Sequence, residues 1–450
     1  MKTKKVSLIF PRFKYISGDP PLGIASLAAK LKAMDNVEVS VIDPTYHRSM
    51  VRVIDELKEI NPDIIGIYSD TIMYPEAISI AEAMRRESRL LIAGGPHATI
   101  RPKDFTDYFD VVVVGEGEKA LVKIVEDYPA RIREEDKIIN VWDENLVDDL
   151  NANPHPERQF FDMESYISNW NYLDSIDIKR RGTTMIASRG CPYKCTYCQP
   201  TLNKLFGCKL RLQDADYIVD EIVSLNKAYG VNAIFFHDDT LTIDHQWVAE
   251  FCEKLKTKKL DLLWGCNSRA NTLSKDILKK MHDAGLRIIH LGIESGSQRI
   301  LDEIYQKQIN LAQVKEAVAM GNQAGIKMMG FFMIGAPTET AEEITQTINF
   351  ARGLDLIEAT FSIVSPLPET RLYDIVKENN YHLSNNYHDY DYYQRRAFED
   401  PELPYNKLKR LQQQALISFY ASPKRLPYIL KHVTSIQGMK KLWNKIKRFM

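Results

Sequence analysis

Twice along this chain, apolar runs rich in β-branched residues alternate with segments of helical period, and few folds accommodate that alternation. Val6–Phe10, Val37–Asp43, Ile64–Ser69, Leu90–Ala93 and Val111–Val114 read as buried strands. Leu22–Leu31, Val51–Ile60, Tyr74–Arg85 and Glu118–Glu126 read as the helices between them. Strands this uniformly apolar are covered on both faces, so residues 1–135 are expected to form a doubly wound, Rossmann-like α/β domain with a parallel sheet. The second series is Thr183–Ser188, Ala233–His237, Leu262–Asn267, Ile288–Ile293, Met328–Ile334 and Glu358–Val364, with helical stretches such as Tyr217–Lys227 and Ala341–Arg352 between. Six strand-helix units across 179–378 fit a parallel barrel, or part of one, although period alone does not separate this from a second flat sheet. Periodicity fails over 136–178, where Pro154 and Pro156 fall, and a surface linker is expected there. Residues 379–450 begin with a Tyr- and Asn-rich stretch and continue as helical sequence with a basic tail.

The balance of charge excludes some partners. Fifty-nine Lys and Arg against sixty Asp and Glu leave a net charge of −1, so no whole-protein field gathers nucleic acid, and none is expected as a partner. The longest nearly uncharged apolar stretch, Met328–Pro337, is about half of what a bilayer requires. The basic N-terminus is followed by an apolar run that stops at Pro11 and Arg12, too soon for a signal peptide, so a cytoplasmic protein is expected.

Six Cys are too sparse for a disulfide framework, yet Cys191, Cys195 and Cys198 fall within eight residues of one another, just after the first strand of the second series. Three thiolates at spacings of four and three wrap one side of a metal group. Zinc commonly takes four ligands from two knuckles, and no second knuckle follows: Cys208, Cys252 and Cys266 stand apart. An iron–sulfur cluster on three Cys leaves one iron open for a substrate.

Cys-x-x-x-Cys-x-x-Cys on the loop after the first strand of a parallel barrel resembles the radical S-adenosylmethionine superfamily. The resemblance implies a 4Fe-4S cluster on Cys191, Cys195 and Cys198. It also implies S-adenosylmethionine on the open iron, split after reduction into methionine and a 5′-deoxyadenosyl radical. Tyr197 is then expected near the adenine. Asp238, Asp239, Arg269, Glu294, Ser295 and Gly335 are expected around S-adenosylmethionine, Glu294 toward the ribose hydroxyls and Arg269 toward the methionine carboxylate. All lie at the carboxyl ends of expected strands, where parallel barrels gather their chemistry. The plainer alternatives are a helix cap for Asp238 and Asp239, a structural ion pair for Arg269 and core packing for Met328, Met329 and Met333.

The first domain carries Pro21-Leu22-Gly23, Ser69 and Thr71, Gly94-Gly95-Pro96-His97, and Gly115-Glu116 with Glu118. These resemble the cobalamin-binding domain of the subclass that includes many methyltransferases and the anaerobic ring-forming enzyme of chlorophyll synthesis. No Asp-x-His-x-x-Gly follows the first strand, and Asp43 and His47 have the wrong spacing to supply a cobalt ligand, so His97 is expected to contact the corrin or its tail. A retained scaffold without cofactor is the alternative, whereas dinucleotide binding lacks its Gly-x-Gly-x-x-Gly.

What the resemblance implies is methyl transfer from cobalamin to an unactivated carbon after hydrogen abstraction. Cyclisation or oxidation without net methylation is the second reading, and a non-catalytic cobalamin or redox sensor the third. The implied partners are a small-molecule, lipid or peptide substrate and an external electron donor such as a flavodoxin or ferredoxin. At the C-terminus, Ile436, Met439, Trp443, Ile446 and Phe449 recur at helical spacing with basic residues around them. The segment could touch a membrane surface weakly or pack on its own protein.

Overall fold

A computed structural model describes residues 3–128, 137–140, 147, 149–391 and 396–425. The basic tail read as an amphipathic helix lies outside the described residues. The chain divides into two compact units, 1–169 with 200–213, and 170–199 with 214–450.

The first unit is built on six parallel strands: β1 (Lys4–Ile9), β2 (Val37–Ile42), β3 (Ile64–Tyr68), β4 (Leu90–Gly94), β5 (Val111–Val114) and β6 (Ile138–Asn140), in the order β2-β1-β3-β4-β5-β6. Val6 pairs with Ile64 on one side and Val39 on the other, so strand order reverses between β1 and β3 and opens a crevice at their carboxyl ends. Ile65, Ile67, Leu91 and Ala93 bury one face of the sheet against Val53, Leu57, Ile80 and Met84 of the helices. Helix Met50–Ile60 starts at Ser49, whose side chain accepts from Arg52 N, and stops at Asn61 in the left-handed region.

The stretch expected as a linker carries β6 and the helix Met163–Asn169. Individual side chains tie it down: Tyr166, fully buried, donates to Asp43 at 2.5 Å, and Lys32 pairs with Glu157 at 2.8 Å. Contacts of this kind leave no period in the sequence. Pro200–Gln213, expected in the barrel, likewise belongs to the first unit. Its helix Thr201–Phe206 packs on Pro96–Ile100, and Arg211 donates to the buried Glu116 carboxylate at 2.5 and 3.1 Å.

The second unit is a six-stranded parallel half-barrel, in which β7 (Gly182–Met185), β8 (Ala233–Phe236), β9 (Leu263–Ser268), β10 (Leu286–Glu294), β11 (Lys327–Ile334) and β12 (Glu358–Ile363) run in sequence order. Helices cover its outer face, where Phe236, Trp264, Cys266, Met328, Phe332 and Phe361 are buried. Met328 is thus core, as its plain reading had it, and Cys252 and Cys266 are buried small residues. At the amino-terminal end, Trp170 lies so close beneath Gly182 that a Cβ there would meet its ring at 2.1 Å. Among the described residues, no helix is long and apolar enough to cross a membrane.

Candidate functional site

The loop that leaves β7 turns at Gly190, whose φ of 90° suits glycine, and then delivers Cys191, Cys195 and Cys198. Thr196 fastens it: its N–H donates to Tyr305 O at 3.0 Å and its hydroxyl to Ile304 O at 2.6 Å. Burial is the chief force raising the thiol pKa of Cys191 and Cys198, and their negative neighbours Cys195 and Asp239 add to it. Three thiols in one loop, with burial opposing ionisation of Cys191 and Cys198, form a donor set that needs a strongly cationic partner. Among the described residues, no three His, Cys, Asp or Glu groups converge on a single ion. A cluster accommodates wider spacing, because each thiolate takes a different iron.

Arg269, at the end of β9, is bound into this loop. It donates to Cys195 Sγ at 3.3 Å and to the carbonyl of Lys307, and its guanidinium lies 3.6 Å above the ring of Tyr193. The cation therefore works on the cluster loop, where the sequence pointed it at a ligand carboxylate. Glu294 closes β10 at a bulge with φ of 69°, a strained position for a non-glycine residue. Its Oε1 meets Lys307 Nζ at 2.7 Å and accepts from Tyr197 OH at 3.3 Å, while Lys307 also donates to Tyr197 OH at 2.9 Å. Gly292 is what lets this pair lie over the strand, since a Cβ there would stand 2.6 Å from Glu294 Oε1 and 2.7 Å from Lys307 Nζ. Lys307 escaped the sequence reading because it sits alone in Gln306-Lys307-Gln308, with no period or motif. Its neighbours' positive φ values, 47° and 58°, mark the built turn.

Asp238 and Asp239 follow β8 and behave differently. Asp238 is buried and accepts from Ala187 N at 3.1 Å and from Ser188 Oγ, so it holds the start of the cluster loop. Asp239 is exposed, yet surrounding protein raises its carboxyl pKa to about 6. An open but poorly solvated carboxylate of this kind suits a cationic ligand group. Ser295 Oγ and Gly335 are occupied within the fold: the first meets Thr347 Oγ1 at 3.1 Å, and the second, at φ 82°, donates to Glu339 Oε2 at 2.6 Å.

In the first unit, the turns after β3, β4 and β5 are joined by Thr99, which donates to Gly95 O at 2.9 Å and accepts from Gly115 N at 3.0 Å, while His97 N donates to Ser69 O at 3.0 Å. Gly95 takes φ 102° beside Ser69 O and the Tyr68 ring. Gly23, behind Pro21 at the start of the helix that begins with Leu22, and Gly94 have nothing within 4 Å of where a Cβ would point. Bare backbone of this sort at a sheet crevice fits a flat, hydrogen-bonding ligand such as cobalamin. His97 is fully buried, 3.2 Å from Thr71 Oγ1 and edge-on to Tyr74 and Phe105. Glu116 holds Arg211 and Val147 N, and Glu118 is buried in the first turn of its helix.

Two family models match the chain, the B12 binding domain over residues 19–125 and the radical SAM superfamily over 185–351. An uncharacterized methyltransferase of Pyrococcus horikoshii is 31% identical over 447 residues, covering 95% of this chain and 94% of the relative. The anaerobic magnesium-protoporphyrin IX monomethyl ester cyclase of Cereibacter sphaeroides is 29% identical, covering 80% of this chain and 60% of the cyclase. The radical S-adenosylmethionine methyltransferase TsrM of Kitasatospora setae, solved with tryptophan and an analogue of S-adenosylmethionine, superposes with a TM-score of 0.68 at 17% identity. It covers 82% of this chain and 75% of TsrM. With a three-cysteine loop at the mouth of a half-barrel and a B12-binding sheet ahead of it, the chain belongs to the cobalamin-dependent radical S-adenosylmethionine methyltransferase family.

Proposed function

We propose that this enzyme moves a methyl group to an unactivated carbon of a small molecule. The observation that carries the reading is the Arg269 contact to Cys195, which makes the thiol loop a supported metal site inside a chain that also keeps a bare-backbone cobalamin crevice. When bound, the cluster, S-adenosylmethionine and cobalamin supply the radical and methyl chemistry.

The chain's own residues position these groups. Cys191, Cys195 and Cys198 would hold the cluster, with Arg269 and Thr196 fixing their loop. Lys307 and Tyr197 both engage Glu294 Oε1 and so leave Oε2 for the ribose hydroxyls. With the Arg269 guanidinium engaged, the Lys307 ammonium is the cation placed beside Glu294 to meet a ligand carboxylate. Asp239 would take the amino group, while Asp238, Ser295 and Gly335 shape the backbone around it. Pro21 to Gly23, Ser69, Thr71, Gly94 to His97 and Gly115 would carry cobalamin, with Glu116 and Glu118 acting behind the surface. An external reductase would deliver the electrons.

The test is anaerobic reconstitution with iron, sulfide and hydroxocobalamin, followed by reductant and methyl-deuterated S-adenosylmethionine. The expected products are 5′-deoxyadenosine and a deuterated methyl on the corrinoid. Nucleoside without label on the corrinoid would instead support a ring-forming or oxidative enzyme, and neither product would support a sensor.

A further inference from the structure

Pro200–Gln213 begins two positions after Cys198 and precedes five of the six half-barrel strands, yet it packs with the first unit. There it backs two of the turns read above as carrying cobalamin, those after β4 and β5. Its helix, Thr201–Phe206, lies on Pro96–Ile100, the short helix that opens behind Gly94 and Gly95. Arg211 then reaches the second turn. Its guanidinium donates to both oxygens of Glu116, at 2.5 and 3.1 Å, and to Phe206 O at 2.9 Å, which closes the segment on itself. Glu116 stands between Gly115 and Gly117, and Val147 N donates to the same carboxylate at 3.1 Å.

The turn after β5 is tightly bounded. Gly115, at φ 96°, donates to Thr99 Oγ1 at 3.0 Å, and a Cβ on Gly117 would stand 3.1 Å from Leu27. The Glu116 side chain between them is fully buried and that of Arg211 is 14% exposed. A buried carboxylate keeps its place only while a cation and donors hold it. Without Arg211, the turn would rotate to carry the carboxylate to water, and the backbone of Gly115 and Gly117 would move with it. Bare backbone is what this crevice offers a corrinoid, so its placement decides the fit. We infer that Arg211 is a positioning residue for cobalamin, and that Pro200–Gln213, although it follows the three-cysteine loop, is a structural part of the cobalamin site. This deepens the reading of the first unit as the cobalamin carrier and rests on it.

Equilibrium dialysis of hydroxocobalamin against the anaerobic, cluster-loaded enzyme tests this, with amide hydrogen exchange followed in the presence and absence of the corrinoid. Arg211→Met is expected to raise the dissociation constant about tenfold, the scale of one hydrogen bond to a charged group. Arg211→Lys, which keeps the cation, is expected to stay within about threefold of the wild type. Arg211→Gln, with one amide in place of the fork, serves should the Met variant fail to fold, and is expected to weaken binding more than Arg211→Lys does. In the wild type, the corrinoid is expected to slow exchange in 200–213 as well as in the turns after β4 and β5. Unchanged affinity in a folded Met or Gln variant, or exchange in 200–213 indifferent to the corrinoid, would overturn the proposal. A wild type that binds no corrinoid overturns the cobalamin reading as well, whereas wild-type binding with indifferent variants overturns this inference alone. Binding that responds to Arg211, without label reaching the corrinoid from S-adenosylmethionine, overturns methyl transfer alone.

Discussion

Arg269 holds Cys195 Sγ at 3.3 Å while its own plane is pinned 3.6 Å above Tyr193. A buried cation that donates to a cluster sulfur favours the more negative, reduced state. Arg269→Gln is therefore expected to lower the cluster's midpoint potential by on the order of 50 mV, the one-electron equivalent of about 1 kcal/mol of hydrogen bonding. A redox titration followed by electron paramagnetic resonance checks this, and an unchanged potential would show that the contact only shapes the loop.

Lys307 and Glu294 form an ion pair with side chains 4% and 9% exposed. Removing one partner strands a buried charge, so Lys307→Met is expected to destabilise the second unit by about 3–5 kcal/mol. The double variant Lys307→Met with Glu294→Gln should recover most of that loss. Urea unfolding of the single and double variants measures it, and equal losses in both would refute the pairing argument.

Glu339 accepts from Gly335 N at 2.6 Å and Ala336 N at 3.0 Å, yet burial raises its pKa from 4.5 to about 8. Between those values the folded chain binds the proton and the unfolded chain does not. Stability therefore falls as pH climbs from about 4.5 and levels off above about 8. Glu339→Gln removes this titration while keeping an acceptor oxygen. It should flatten the pH dependence and raise relative stability at pH 9 by on the order of 1–3 kcal/mol. Denaturant midpoints at pH 6 and pH 9 decide the matter.

Glu116, with its side chain fully buried, anchors Pro200–Gln213 through Arg211. Arg211→Met should speed amide hydrogen exchange in 200–213 and leave the half-barrel strands unchanged. Uniform exchange changes across both units would argue against a local anchor.

The strands were legible because apolar runs bounded by turn residues have only one covered environment in a parallel sheet. All five expected strands of the first series and all six of the second appear within a few residues of their expected ends. The three cysteines were legible because ligand spacing within one loop is a local property. The short edge strand β6, Ile138–Asn140, was not legible, since three residues in a polar stretch carry no period.

The role of each polar side chain was also beyond the sequence. Residues 38 positions apart, Arg269 and Lys307, meet through a single carbonyl, and nothing local in either segment records that meeting. The guanidinium expected to meet a ligand turns to a cysteine. Glu116 braces a distant segment through Arg211. Pattern along the chain dictates which elements form and which ends of strands carry chemistry, because burial and ligand spacing act over a few residues. Which groups pair across those ends is set when the strands are brought side by side, because hydrogen bonds and ion pairs depend on distances in space that sequence separation does not encode.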